Sequence, residues 1–97
     1  MSKPAYLIVD AKSSDPQAMQ RYRDLAQVAV AHYGGRYLVR GGAFQVLEGD
    51  WQPQRLVVVE FPSLEQGSKF YASPEYLAAR AARAGVSSFD MLLVEAC

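Results

Sequence analysis

The run Arg55-Leu56-Val57-Val58-Val59-Glu60-Phe61 sets four aliphatic side chains at consecutive positions between charged residues. In a strand successive side chains point to opposite faces, so Leu56 and Val58 lie on one face and Val57, Val59 and Phe61 on the other. Both faces are apolar. Ala5 to Asp10 repeats the pattern, with Leu7 and Val9 opposing Tyr6 and Ile8. A sheet built from such strands has to be covered on both sides. At 97 residues, 51% hydrophobic and 21% charged, the chain has the material for one small domain over residues 1–97 and one core, with nothing left over for a second covering layer.

The elements around these strands are marked by strong start and stop signals. After the strand Ala5 to Asp10, Ser13-Ser14-Asp15-Pro16 puts a capping side chain directly before a proline at the first helical position. Met19, Tyr22, Ala26, Ala29, Val30 and Tyr33 then recur at spacings of three and four, with Gln20, Arg21, Arg23, Asp24 and Gln27 on the other side. Gly34-Gly35 closes this amphipathic helix. Arg36 to Arg40 reads as a strand that resumes over Phe44 to Leu47 after a bulge at Gly41-Gly42, and a turn at Glu48 to Pro53 folds it into a hairpin with Arg55 to Phe61. Ser63-Leu64-Glu65-Gln66 has the form of a capping box and starts a second helix. That helix pauses at Ser73-Pro74 and continues to Ala84, where Gly85 stops it. Ser88 to Glu95 is the last strand.

Strand, helix, strand, strand, helix, strand is the order of the ferredoxin-like α+β plan: a four-stranded antiparallel sheet with its helices on one face. The helix-free face then remains apolar and open. Its expected cover is the same face of a second copy, giving a two-fold homodimer.

Composition removes several classes of function. Ten Lys and Arg balance ten Asp and Glu, so no basic excess draws the chain to nucleic acid. The aliphatic third strand also lacks the exposed aromatic rings with which ferredoxin-like RNA-binding modules stack bases. Cys97 is the one cysteine and His32 the one histidine, which excludes an intrachain disulfide and a His and Cys metal site within one chain. No Gly-x-Gly-x-x-Gly occurs, and no cofactor is expected. The first apolar run, Ala5 to Val9, is too short for a signal peptide or a membrane span, so a cytoplasmic protein with no membrane partner is expected.

The candidate site residues are polar groups at the ends of the sheet. A hairpin turn near Asp50 is expected to bring Arg40 beside Glu60, with His32 nearby at the end of the first helix. There Arg40 holds a carboxylate or enolate while His32 or Glu60 moves a proton; the structural alternative is an Arg40–Glu60 ion pair and a capping His32. At the other end, Trp51 and Arg55 stand among Asp10, Glu48 and Asp50, either as ligand contacts or as a clamp over the hairpin. Tyr71, with Phe70 and Tyr76 about the Ser73-Pro74 break, either faces a cavity or packs in the core. The ligand these groups suit is a small anion.

Several spaced motifs carry a resemblance over nearly the whole chain: His32-Tyr33-Gly34-Gly35-Arg36-Tyr37-Leu38-Val39-Arg40-Gly41-Gly42, Leu47-Glu48-Gly49-Asp50-Trp51, Glu60-Phe61-Pro62-Ser63, and Phe70-Tyr71 with Ser73-Pro74-Glu75-Tyr76. In these the chain resembles domain-of-unknown-function family thirteen-thirty, of the dimeric α/β-barrel superfamily. The resemblance implies a ferredoxin-like subunit in a bacterial, soluble homodimer, and no established activity. Sister families include cofactor-independent monooxygenases, lactone isomerases and haem-binding enzymes that place substrate between sheet and helices. Haem finds no support, since His32 is the sole candidate axial histidine. Two functions follow as expectations: acid–base enzymology of isomerase or monooxygenase type on a small organic acid or carbonyl compound, or a non-catalytic ligand-binding or stress-associated module.

Overall fold

A computed structural model describes residues 2–97. Strand β1 (Ala5–Ser13) runs through the middle of the sheet and leads into α1 (Pro16–His32), β2 (Arg36–Arg40), β3 (Leu56–Phe61), α2 (Leu64–Ala72), α3 (Pro74–Ala82) and β4 (Ser87–Glu95). The strands lie in the order β2-β3-β1-β4, all neighbours antiparallel. This is the ferredoxin-like arrangement, with the second helical stretch divided in two.

Local chemistry accounts for the element ends. The Asp15 carboxylate accepts from the backbone N–H of Gln17 and Ala18, and Pro16 begins α1. At the other end Gly34 takes a φ of +78°, and Gly35 presses so closely on Phe61 and Val30 that a β-carbon would stand 2.8 and 2.9 Å from their side chains. Ser73 caps α3 through Tyr76 N–H and breaks it from α2. Ser63 caps α2 through Gln66 N–H. The expected capping box is only half made: the Gln66 amide reaches the Tyr33 carbonyl instead, tying the start of α2 to the end of α1.

Leu7, Val9, Val59 and Phe61 point from the sheet into one core with Met19, Ala26 and Val30 of α1, Phe70 of α2, and Tyr76 and Ala79 of α3. Tyr6, Ile8 and Val58, their alternates, lie half-buried on the helix-free face, where Leu92 and Val94 of β4 stand beside them at 57% and 44% exposure. The apolar second face expected from the strand pattern is therefore present.

The hairpin departs from expectation. Strand β2 ends at Arg40, not Leu47, because Gly41 donates its N–H to the Leu56 carbonyl and turns away at φ +73°. Residues 42–55 leave the sheet as a long loop. It is tied down by Trp51 and Gln54, both bonded to Asp10, and by the Gln54 side chain on Ser13. Arg36 stands opposite Glu60, and a bulge between Tyr37 and Val39 shifts the register by one residue, so that Arg40 stands opposite Val57.

Candidate functional site

That register separates the residues expected to act together. Arg36 Nε donates to Glu60 Oε1 at 2.9 Å, and Arg40 stands three residue pairs further along the hairpin. The expected Arg40–Glu60 pairing does not form, because the two strands pair about a point near residue 48 and not about Asp50, which sets Glu60 opposite Arg36. His32 is exposed, with Nε2 at 3.9 Å from Glu75 Oε1. Tyr33 donates its hydroxyl to the other Glu75 oxygen at 3.0 Å, a bond that raises the Tyr33 pKa. The Glu75 backbone N–H and that same hydroxyl hold the Glu75 carboxyl below its ordinary range. This cluster is a surface feature between the end of α1 and the start of α3.

Trp51 lies on the helix-free side, its indole N–H donating to Asp10 Oδ2 at 3.1 Å. Tyr71 is on the outside of α2 with the Arg80 guanidinium 4.9 Å over its ring, beside a shallow groove against Leu93. Neither residue shares a space with Arg40.

Arg40 and Arg55 do border one space, a cavity between α1 and the inner face of the sheet. The cavity is about 40 Å³. Val9, Ala26, Val30, Val57 and Phe89 make its walls, with the Tyr22 and Tyr37 rings among them. Arg23 joins the rim from α1. The rim position follows from exposure: Arg40 is open to solvent and Arg23 and Arg55 are half-buried, whereas Val9, Ala26 and Val30 are buried.

Each arginine is placed by its neighbours. Arg40 Nη2 donates to Gln27 Oε1 at 2.8 Å and its guanidinium lies 4.2 Å over the Tyr37 ring. Arg23 donates to Gln20 Oε1 at 2.9 Å. Arg55 lies against Gly41, where a β-carbon would collide with its Nη1. Among the described residues none of the three pairs with a carboxylate. Asp15 stands in the adjoining groove, but its carboxylate is engaged by the α1 cap. Burial pushes the Tyr37 phenol up, with Arg40 and Arg55 pulling the other way, so it is a protonated donor at neutral pH. The Tyr22 hydroxyl is hydrogen-bonded to that of Tyr76 at 2.8 Å, and burial raises its pKa strongly.

Arg23, Tyr22 and Tyr37 were not singled out as site residues from sequence. Arg23 sits among the polar residues of α1 and reads as solvated. Tyr37 and Arg40 share the inner face only because of the bulge between them, which alternation does not disclose.

Comparison with solved structures agrees with this architecture. The chain is similar to RPA0582, a protein of unknown function from Rhodopseudomonas palustris, with a TM-score of 0.77 at 15% identity over 100% of this chain and 85% of that one. SnoaB, a cofactor-independent oxygenase from Streptomyces nogalater, aligns with a TM-score of 0.67 at 12% identity over 99% of this chain and 95% of that one. A dimeric ferredoxin-like protein of unknown function from Bacteroides fragilis gives 0.61 at 16% identity over 96% of both chains. At these identities the likeness is one of fold. No curated protein matches the chain. The family model "Domain of unknown function (DUF1330)" matches residues 4–97, and the chain belongs to that family.

Proposed function

We propose that this protein is a homodimer that binds a small anionic organic molecule in the cavity between α1 and the sheet. The observation that carries the reading is the rim: three arginines border one apolar space, and among the described residues none of them is paired with a carboxylate. Cations held together without counter-charge repel one another, and an anion that bridges them relieves the repulsion as it binds. Arginine suits this task because its planar fork matches a carboxylate or an enolate.

Binding is favoured over proton-transfer catalysis by the composition of the cavity wall, which contains no His, Asp or Glu among the described residues. What the wall offers chemically is electrostatic stabilisation of an anion, with the Tyr37 phenol as a hydrogen-bond donor. An oxygenase among the fold neighbours supports a second reading, in which the same rim stabilises the enolate of a substrate that reacts without a cofactor.

The dimer is supported by the helix-free face. Ile8, Val58, Leu92 and Val94 form an apolar patch there, and the exposed ring of Trp51 extends it. Two fold neighbours, from Bacteroides fragilis and Thermobifida fusca, are described as dimeric.

A thermal-shift screen of small metabolites tests the binding reading. A ligand at a hundred times its Kd adds about 2.7 kcal/mol, roughly ten to twenty degrees in Tm for a domain of this size. Small organic acids are expected to raise Tm, and Arg55→Ala to remove the rise. A library in which only neutral compounds act, or acids act equally on Arg55→Ala, would count against it.

A further inference from the structure

We infer that the ligand is a monocarboxylate with a narrow apolar body, its carboxylate on Arg55 and Arg40 and its body in the slot beneath. The inference rests on the anion-binding reading above and narrows it to a chemical class.

The first support is the state of the two guanidiniums. Arg40 is held in one pose by Gln27 on its edge and Tyr37 under its face, leaving part of its fork free. Arg55 has no side-chain hydrogen-bond acceptor among the described residues, yet it is not loose. Its guanidinium occupies the space beside Gly41, where a β-carbon would stand 2.8 Å from Cζ and collide with Nη1. The backbone there has a φ of +73°, which glycine adopts without strain. Chain geometry thus makes room for a planar cation whose donors are unspent. A carboxylate fills such a fork with two parallel hydrogen bonds.

The second support is what lies below. Val57, Phe89, Val30 and Ala26 offer no hydrogen bonds, the Tyr22 hydroxyl is already engaged by Tyr76, and the Tyr37 phenol adds a donor but no charge. A sugar phosphate or a dicarboxylate entering here would leave hydroxyls or a second charge buried without partners. Inorganic phosphate would engage the arginines and leave the slot unused. An apolar body gains from the same wall by losing its contact with water.

The third support is width. A space of about 40 Å³, well under the roughly 150 Å³ of a cavity that holds benzene, excludes a fused polycyclic body and takes a flat ring or an unbranched chain only as α1 gives way.

Calorimetric titration of the full chain with benzoate, hexanoate, succinate, inorganic phosphate, benzyl alcohol and hexanol tests the proposal. Benzoate or hexanoate is expected to bind at least about tenfold more tightly than succinate, phosphate or its own alcohol, a difference of about 1.4 kcal/mol. Arg55→Ala should lose that advantage. Arg55→Lys, which keeps the charge without the fork, should lose it as well, and serves where the alanine variant does not fold. Succinate or phosphate binding as tightly as the monocarboxylates, still dependent on Arg55, would overturn the apolar body and leave the anion site standing. Alcohols binding as well as acids would overturn the carboxylate. Absence of binding by every probe, or binding indifferent to Arg55, would overturn both this inference and the reading beneath it.

Discussion

The indole N–H of Trp51 donates to Oδ2 of Asp10 at 3.1 Å and keeps that carboxylate at 2% exposure on the face of the sheet that carries no helix. Asp10 stands directly opposite Asp90 of β4, so two acidic residues share one rung of the sheet. Like charges at that distance disfavour each other. Trp51, the Gln54 N–H and Lys12 at 3.7 Å are what hold the buried one ionised. The cover is thin, since Trp51 itself is 53% exposed, and the loop of residues 42–55 owes its course to this anchor.

Trp51→Phe should therefore cost more than an exposed aromatic exchange normally does. It keeps a ring over Asp10 but removes a donor to a buried charge, a loss of about 1–3 kcal/mol. Thermal unfolding at neutral pH should show a Tm lower by several degrees. A Tm equal to that of the parent chain would mean that Gln54 and Lys12 suffice.

The same bond sets an acid dependence. Burial raises the Asp10 pKa, but the hydrogen bonds from Trp51 and Gln54, with the Lys12 charge, outweigh it and hold the carboxyl below its ordinary value. The unfolded chain thus takes up the proton first as pH falls. Stability from Asp10 is complete above the ordinary carboxylate range and is lost as pH falls through the folded pKa. Melting curves from neutral to acid pH should show the gap between Trp51→Phe and the parent narrowing on the acid side. A gap that stays constant over that range would assign the cost of the substitution to lost packing.

How much of this was legible in the residues varies with the range of the interaction. The caps at Asp15, Ser63 and Ser73 and the stop at Gly34 are local chemistry, and each acts where its sequence places it. The two apolar faces of β1 and β3 follow from alternation alone. The site was harder to read because it depends on register. The hairpin is centred near residue 48, which puts Glu60 opposite Arg36, and one extra residue between Tyr37 and Val39 brings Arg40 opposite Val57 on the face of Tyr37. No local propensity marks that residue, since the bulge is decided by pairing with β3. Arg55 was singled out but tied to the acidic groups of the loop. It was the positive φ of Gly41 that opened space for its guanidinium on the opposite face.

The two faces of β3 should respond differently to charge. Val58→Asp or Leu92→Asp adds a carboxylate to the helix-free side, where the free subunit leaves it in contact with water. Either variant should fold and appear in light scattering near the 10.7 kDa of one chain, while the parent appears at about twice that mass. Val57→Asp puts the same group against the core and should destabilise the subunit by several kcal/mol. A parent chain that stays monomeric at micromolar concentration would remove the proposed dimer.

The placement of His32 and Glu60 separates them from the proposed ligand. Glu60 pairs with Arg36, whose side chain is 71% exposed, and an ion pair so open to water contributes at most about 1 kcal/mol. His32, at 64% side-chain exposure, faces Glu75 at the surface. Glu60→Gln and His32→Ala should thus leave both the fold and ligand-induced stabilisation nearly unchanged. Arg40→Ala differs: it loses the hydrogen bond to Gln27 and the stack on Tyr37, both on the surface, and removes one guanidinium of the rim. Its Tm without ligand should fall only slightly, because no buried charge is left unpaired. With benzoate or hexanoate present, the rise in Tm should be much reduced. If Glu60→Gln or His32→Ala instead abolishes that rise while Arg40→Ala keeps it, the ligand belongs at the other end of the hairpin.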